Sequence, residues 1–193
     1  MQIALDWDGT CTVSDSLVAA IRVFGDPSVF ERNYGSHGEA IVHEVGTICA
    51  SADEVSTWAA ENVAVRPGFR ELVEKFRPVI VSSGLPQLIL PVLAREGVEV
   101  EVRSNGAEPR DDGWVLSFYD DRPCPVCGEL CKRAALPEGR PLVYVGDGSS
   151  DRCASLGCER VFARDFLARF LAGEGAPFER FDTLHDVVAA LER

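Results

Sequence analysis

Two short apolar runs in this chain each lead into a pair of aspartates. Met1 to Leu5 runs into Asp6-Trp7-Asp8-Gly9-Thr10, and Leu142-Val143-Tyr144-Val145 runs into Gly146-Asp147-Gly148-Ser149-Ser150-Asp151. Apolar runs without polar alternation read as strands buried on both faces, the condition of a parallel sheet covered by helices on each side. Packing gives no reason to place paired carboxylates at the exit of a buried strand, and here it happens twice. In open parallel sheets ligands lie beyond the carboxyl ends of the strands. The fold class expected is therefore α/β, a doubly wound parallel sheet with its chemistry along one edge.

The rest of the chain fits that plan. The first strand is predicted at residues 2–7. From about 14 to 76 the pattern is helical: Ser14 or Asp15 caps a helix through Leu17, Ile21 and Phe24, and Gly25-Asp26-Pro27 breaks it. Ile41, Val45 and Ile48 form a second apolar face. Ser51 to Glu54 is a capping-box pattern ahead of Val55, Trp58 and Val63. Pro67-Gly68 marks a hinge before a further helix to about Phe76. Strands resume at 78–81, ending in Ser82-Ser83-Gly84, and Pro86 suits the first turn of the next helix. Val98, Val100 and Val102 alternate with charged residues, as in a half-exposed strand. Asp111-Asp112-Gly113 is a hairpin turn into Trp114 and Leu116. Val161 to Ala163 reads as a short strand, Asp165 as a helix cap, and Thr183 with Asp186 as the start of the last helix. The 14–76 block is too long for an ordinary loop. It reads as a helical lid on a catalytic core made of 1–13 and 77–193.

Bulk composition narrows the partners. The 193 residues suit one core domain with an insertion, and 46% apolar with 26% charged residues is ordinary for a globular protein. A net charge of −12, from 31 acidic and 19 basic residues, argues against nucleic acid or an anionic membrane, which need clustered Lys and Arg. Met1-Gln2 enters a strand with no basic or long apolar leader, and no run approaches a membrane span. The expected setting is cytoplasmic.

Three strand ends carry polar groups: Asp6-Trp7-Asp8, Ser82-Ser83-Gly84 and Gly146-Asp147-Gly148. If adjacent, they gather Asp6, Asp8, Ser82, Asp147 and Asp151. Aspartates packed so closely repel unless a cation sits among them, and Mg²⁺ suits hard oxygen ligands. Each element has a plainer reading. Asp-x-Asp-Gly-Thr alone could be a turn, Ser82 a helix cap, and Lys132 a solvated surface group, although Lys75 is the chain's only other lysine.

Taken in order, Asp6-Trp7-Asp8-Gly9-Thr10, Ser82 after its apolar strand, Lys132, and Gly146 to Asp151 resemble the haloacid dehalogenase superfamily in its phosphatase branch. The helical block after the first motif resembles that superfamily's first cap type (C1), as in phosphoserine phosphatase. Cys131-Lys132 and Phe162-Ala163-Arg164-Asp165 resemble the methionine-salvage phosphatase of 2-hydroxy-3-keto-5-methylthiopentenyl 1-phosphate. The resemblance implies a Mg²⁺-dependent phosphatase of a small phosphorylated metabolite. Asp6 would attack phosphorus and form an aspartyl-phosphate, Asp8 would act as acid and then base, and Ser82 and Lys132 would hold the phosphoryl group. Gly9, Thr10, Ser83 and Gly84 would line the phosphate. Asp6, the Asp8 carbonyl and Asp147 would hold the metal, with Asp151 either ligating through water or orienting Lys132. Asp15 falls where phosphoserine phosphatase carries a cap glutamate, and Ser83 and Arg133 fall where it carries glycines. Asp15, Phe24, His43 and Arg66 are the lid residues read as candidates for substrate selection. A phosphotransferase or mutase of the same superfamily is the chemical alternative.

The seven cysteines do not read as a disulfide framework. Cys124, Cys127 and Cys131 have spacings that can converge on a structural Zn²⁺, with Cys153, Cys158, a histidine or Asp121 as fourth ligand; a loop of reduced thiols is the plainer reading. This loop also leaves open a zinc or redox interaction module that merely keeps the fold. Cys11 reads as a packed small residue beside the first motif. His37, His43 and His185 read as surface or satisfied polar groups.

Overall fold

The computed structural model describes residues 1–193. Its strands are β1 (Gln2–Leu5), β2 (Val79–Ser82), β3 (Glu101–Ser104), β4 (Gly106–Arg110), β5 (Gly113–Ser117), β6 (Leu142–Gly146), β7 (Arg160–Ala163) and β8 (Glu179–Arg180). Its helices are α1 (Ser16–Phe24), α2 (His37–Val45), α3 (Ala52–Asn62), α4 (Phe69–Phe76), α5 (Pro86–Glu96), α6 (Arg152–Ser155), α7 (Asp165–Gly173) and α8 (Leu184–Leu191). Six strands form one parallel sheet in the order β3-β2-β1-β6-β7-β8, and β4 and β5 form a separate antiparallel hairpin. The order reverses at β1, so the chain leaves the central strand in both directions. Registers such as Leu5 with Ile80 and Leu5 with Val145 bring the carboxyl ends of β1, β2 and β6 to one level.

The local causes are visible. Every residue of β2 and β6 is buried, as is β1 after Gln2, which the unbroken apolar runs anticipated. Removing side chains such as Leu5 and Ile80 from water contributes roughly 1.5–3 kcal/mol each. Ser51 caps α3 through its hydroxyl to the Glu54 N–H, while the Ser51 N–H donates back to the Glu54 carboxylate. Pro86 opens α5, and Gly97 closes it in the left-handed region at φ 68°. Three sequence boundaries move. β1 stops at Leu5, not at residue 7, because Asp6 turns its carboxylate onto the Trp7 N–H and the chain leaves the ladder. Val98 and Val100 precede the paired part of β3. Arg164, rather than Asp165, stands at the cap position of α7.

Within residues 14–76, α3 packs along α5, whereas α4 packs against α8. The Trp7 indole meets Phe69 of α4 edge-on at 6.0 Å. The chain enters and leaves α1–α3 side by side: the Val13 N–H donates to the Ala64 carbonyl, and Thr12 bridges Val65. On the far side the hairpin grips the same helices. Trp114 Nε1 donates to the Ala50 carbonyl at 2.8 Å. Gly113, at φ 126°, comes so near the Gly46 carbonyl that a Cβ there would lie 2.0 Å from its oxygen. No helix is long and apolar enough to cross a membrane.

Candidate active site

After β1 the chain makes one wide turn, Trp7–Cys11, closed by the Thr12 N–H to the Trp7 carbonyl at 3.0 Å. Gly9 allows it with φ 76°, and a Cβ at Gly9 would stand 2.3 Å from Asp147 Oδ2. The missing side chain thus lets the β1 and β6 tips approach. Thr10 Oγ1 donates to Asp147 Oδ1 at 2.7 Å, tying the tips together.

Asp6, Asp147 and Asp151 bring carboxylate oxygens within 4.8 Å of one another. Lys132 lies in their midst. Its ammonium donates to Asp6 Oδ1 and, at 2.7 Å, to Asp151 Oδ1. All three partners are buried: Asp6 is 3% exposed, Asp151 0% and Lys132 6%. Burial, the neighbouring Asp151 and then Asp147 push the Asp6 carboxyl well above its usual range, with Lys132 opposing. Burial disfavours the Lys132 charge, but Asp151 and Asp6 outweigh it and hold the ammonium protonated above its usual value. One cation among three carboxylates leaves excess negative charge in a dry place, which a dication fits.

Asp151 is saturated. Its Oδ1 accepts from Lys132 and from the Tyr144 hydroxyl at 2.7 Å, and its Oδ2 accepts the Asp147 and Gly148 N–H groups at 3.0 and 2.9 Å. Those bonds use its lone pairs for orientation. Asp6 Oδ2 and Asp147 Oδ2 are the less committed oxygens.

Asp8 points to the other side. Its Oδ1 accepts the Ser16 N–H at 2.7 Å and the Ser16 hydroxyl. Burial first, then the nearby Asp15 carboxylate, push Asp8 up to about 7. Gly84 explains itself here, because a Cβ would lie 2.8 Å from Asp8 Oδ2 and 3.1 Å from Ser82 Oγ. Ser82 is buried, and its Oγ accepts the Gly84 N–H at 2.8 Å. The Ser83 carbonyl accepts from Asn105 Nδ2 at 2.8 Å, which fixes the β2 tip from the hairpin side.

These groups surround a cavity of about 340 Å³ lined by Asp6, Asp8, Gly9, Asp15, His37, Ser82, Ser83, Gly84, Lys132 and Asp147. Asp15 faces it while capping α1 through the Val18 N–H at 2.8 Å. His43 does not reach it and stacks on Tyr34 at 5.3 Å; Phe24 packs edge-on against Trp58.

Arg66 does not line the cavity, contrary to the sequence expectation. Its guanidinium is consumed by main-chain carbonyls: Gly9 at 2.6 Å, Thr10 at 2.9 Å, Thr12 at 3.1 Å and Asp182 at 3.2 Å. It holds the β1 turn from behind. Cys11 is fully buried and its thiol is pushed well up by burial, so it behaves as packing. Ser16, Tyr144 and Asn105 escape sequence reasoning. Tyr144 sits inside an apolar strand, and only the alternation of its neighbours places its hydroxyl on the Asp151 side.

Comparison with known proteins agrees with this arrangement. No family model matches the chain. Pdp3-interacting factor 1 of Schizosaccharomyces pombe is 30% identical over 97% of this chain and 93% of its own length. A 2-hydroxy-3-keto-5-methylthiopentenyl-1-phosphate phosphatase of Brevibacillus brevis is 25% identical over 97% and 93% respectively. The structure of a substrate-bound phosphoserine phosphatase superposes with a TM-score of 0.71 at 12% identity, covering 98% of this chain and 97% of that one. With a sheet that reverses at β1 and aspartates at its central tips, the chain has the fold of phosphoserine phosphatase, belongs to the haloacid dehalogenase superfamily and is a phosphatase.

Proposed function

We propose that this protein hydrolyses the phosphate monoester of a small metabolite through an aspartyl-phosphate on Asp6. The observation that carries the reading is the placement of Asp6, buried beside Lys132 and lining a cavity that Asp8 and Ser82 also line. Asp6 Oδ2 attacks phosphorus and the bond to the leaving oxygen breaks, while Asp8 gives that oxygen its proton. Water then attacks phosphorus, Asp8 takes its proton, and the Asp6–phosphorus bond breaks to release inorganic phosphate. Ser82 Oγ and the Lys132 ammonium stabilise the charge on the phosphoryl oxygens, and Gly9 lines the same cavity, its N–H held by Thr12 Oγ1. Asp8 can give and take a proton near neutrality because burial and Asp15 push it up to about 7.

The donor set fits Mg²⁺. Asp6, Asp147 and the Asp8 carbonyl would hold it, and it would neutralise phosphoryl charge. Asp151 serves through Lys132, since its own oxygens are filled.

Residues of α1 and α2 roof the cavity, and α1–α3 form the lid, with α4 belonging to the core. Asp15 and His37 face the cavity from the lid, and we assign substrate selection to them in place of Arg66. Relatives matching nearly the full chain carry the methylthiopentenyl phosphate name, which makes a short hydroxylated alkyl phosphate the first substrate class to test, with phosphoserine second. Cys124, Cys127 and Cys131 make a structural Zn²⁺ the second metal.

A panel of phosphorylated metabolites and an aryl phosphate, each with Mg²⁺, tests the reading. The parent enzyme should turn over at least one of them and give an acid-stable phosphoenzyme mass shift, and Asp6→Asn should do neither. A parent inert toward the whole panel with Mg²⁺, Mn²⁺ and Co²⁺ would overturn it.

A further inference from the structure

Cys153 completes a cluster that sequence spacing alone leaves at three. Sγ atoms of Cys124, Cys127, Cys131 and Cys153 all lie within 4.8 Å of one another, and all four thiols are free. The Cys124 and Cys153 sulfurs are 3.8 Å apart. Two thiolates on one tetrahedral Zn²⁺, with Zn–S near 2.3 Å, stand about 3.8 Å apart, whereas a disulfide needs about 2.05 Å.

The surrounding chain is shaped for thiolates. Cys124 to Glu129 folds into a tight reversal: the Gly128 N–H donates to the Cys124 carbonyl at 2.8 Å, and the Cys124 N–H to the Glu129 carbonyl at 2.9 Å. Gly128 adopts φ 76°, which brings the chain round after the second cysteine. The Val126 N–H points at Cys124 Sγ at 3.5 Å. Arg133 Nε points at Cys153 Sγ at 3.4 Å while Arg133 also donates to the Cys153 carbonyl at 2.8 Å. Four thiolates around a dication carry net negative charge, and Arg133 offsets it.

We propose that Cys124, Cys127, Cys131 and Cys153 bind one zinc ion, and that this ion clamps together the two loops that carry Lys132 and Asp151. Lys132 follows Cys131 directly, and Asp151 lies two residues before Cys153. Zinc would therefore brace both ends of the Lys132–Asp151 ion pair from behind while touching neither substrate nor the Asp6 cluster. This second role rests on the phosphatase reading; the metal site itself does not.

Metal analysis of the full-length protein, purified under reducing conditions, should find one zinc per chain. Replacement by Co²⁺ should give the visible bands of tetrahedral cobalt thiolate. Cys153→Ser should lose zinc to a chelator wash and weaken the sulfur-to-cobalt charge-transfer band. Cys153→His should keep the ion, and Cys49→Ser, in the lid, should change nothing. Removing zinc from the folded protein should raise amide exchange at residues 131–135 without loosening β1. It should also lower kcat with little change in KM, and added zinc should reverse both. Substoichiometric zinc with no cobalt thiolate spectrum, a Cys124–Cys153 disulfide, or unchanged metal retention in Cys153→Ser would overturn the site. Unchanged exchange at 131–135 on zinc removal would overturn the clamp. Because the metal and exchange measurements need no substrate, they decide the proposal even if no phosphatase activity is found.

Discussion

Ser16 gives both its backbone N–H and its hydroxyl to a single oxygen of Asp8. The first residue of α1, in the proposed lid, is thereby bonded to the residue proposed as the proton donor. Lid position and acid position are one geometric variable, and only the other oxygen of Asp8 faces Gly84 and Ser82.

Ser16→Ala keeps the N–H bond and loses the hydroxyl. A hydrogen bond to an ionisable partner is worth about 1.5–3 kcal/mol, so kcat/KM should drop by about one to two orders of magnitude for alkyl phosphates. Aryl phosphates, whose leaving groups need little protonation, should lose much less. Steady-state kinetics with a matched alkyl and aryl pair checks this. Equal losses would show that Ser16 matters for the lid and not for Asp8.

The Asp6 cluster stores repulsion, because Lys132 is one cation among three carboxylates. Asp6→Asn removes one charge and leaves Lys132 paired with Asp151. Without metal, this inactive variant should be more stable than the parent by about 1–2 kcal/mol, read as a higher urea midpoint at an unchanged slope. A lower midpoint would mean that the Asp6–Lys132 pair contributes more than the repulsion costs.

Mg²⁺ should stabilise the folded protein alone. At a concentration about a hundredfold above its Kd, linkage gives about 2.7 kcal/mol, or roughly 5 °C or more in Tm for a chain of this size. Asp147→Asn should remove most of that shift. Thermal melts with and without EDTA measure it, and an identical Mg²⁺ response in Asp147→Asn would take the β6 tip out of the metal site.

Arg66→Lys should behave as a stability mutant. An ammonium cannot serve four separate carbonyls in the geometry of a guanidinium. The loss should be about 2–4 kcal/mol by denaturant unfolding. The ranking of substrates by kcat/KM should stay as in the parent; a reordered ranking would return Arg66 to the cavity.

Strand tips were legible in the sequence because burial and chemistry collide there. Leu5 and Val145 end apolar runs, so the aspartates that follow stand out, and Ser82 stands out in the same way after Val81. Arg66 was misread for the opposite reason. It lies between helical patterns, and its partners are carbonyls of Gly9 to Thr12, which no side-chain pattern reveals. Cys153 was one of several choices for a fourth ligand, beside Cys158, a histidine or Asp121, until α6 placed it against the Cys124 loop. Ser16 carries no signal in the sequence, since nothing in the local pattern says that Asp8 folds back onto it.

The grip of the hairpin on α2 and on the Ala50 carbonyl carries a last consequence. The Val13–Ala64 bond ties the entering and leaving segments of α1–α3 to each other, while Trp114 ties the Ala50 carbonyl to the hairpin. On the proposed reading of α1–α3 as a lid, the hairpin is an attachment that any wide opening would have to break. If the proposed phosphatase reading holds, a bulky phosphorylated guest would have to break the Trp114–Ala50 bond to enter, whereas a compact one would not.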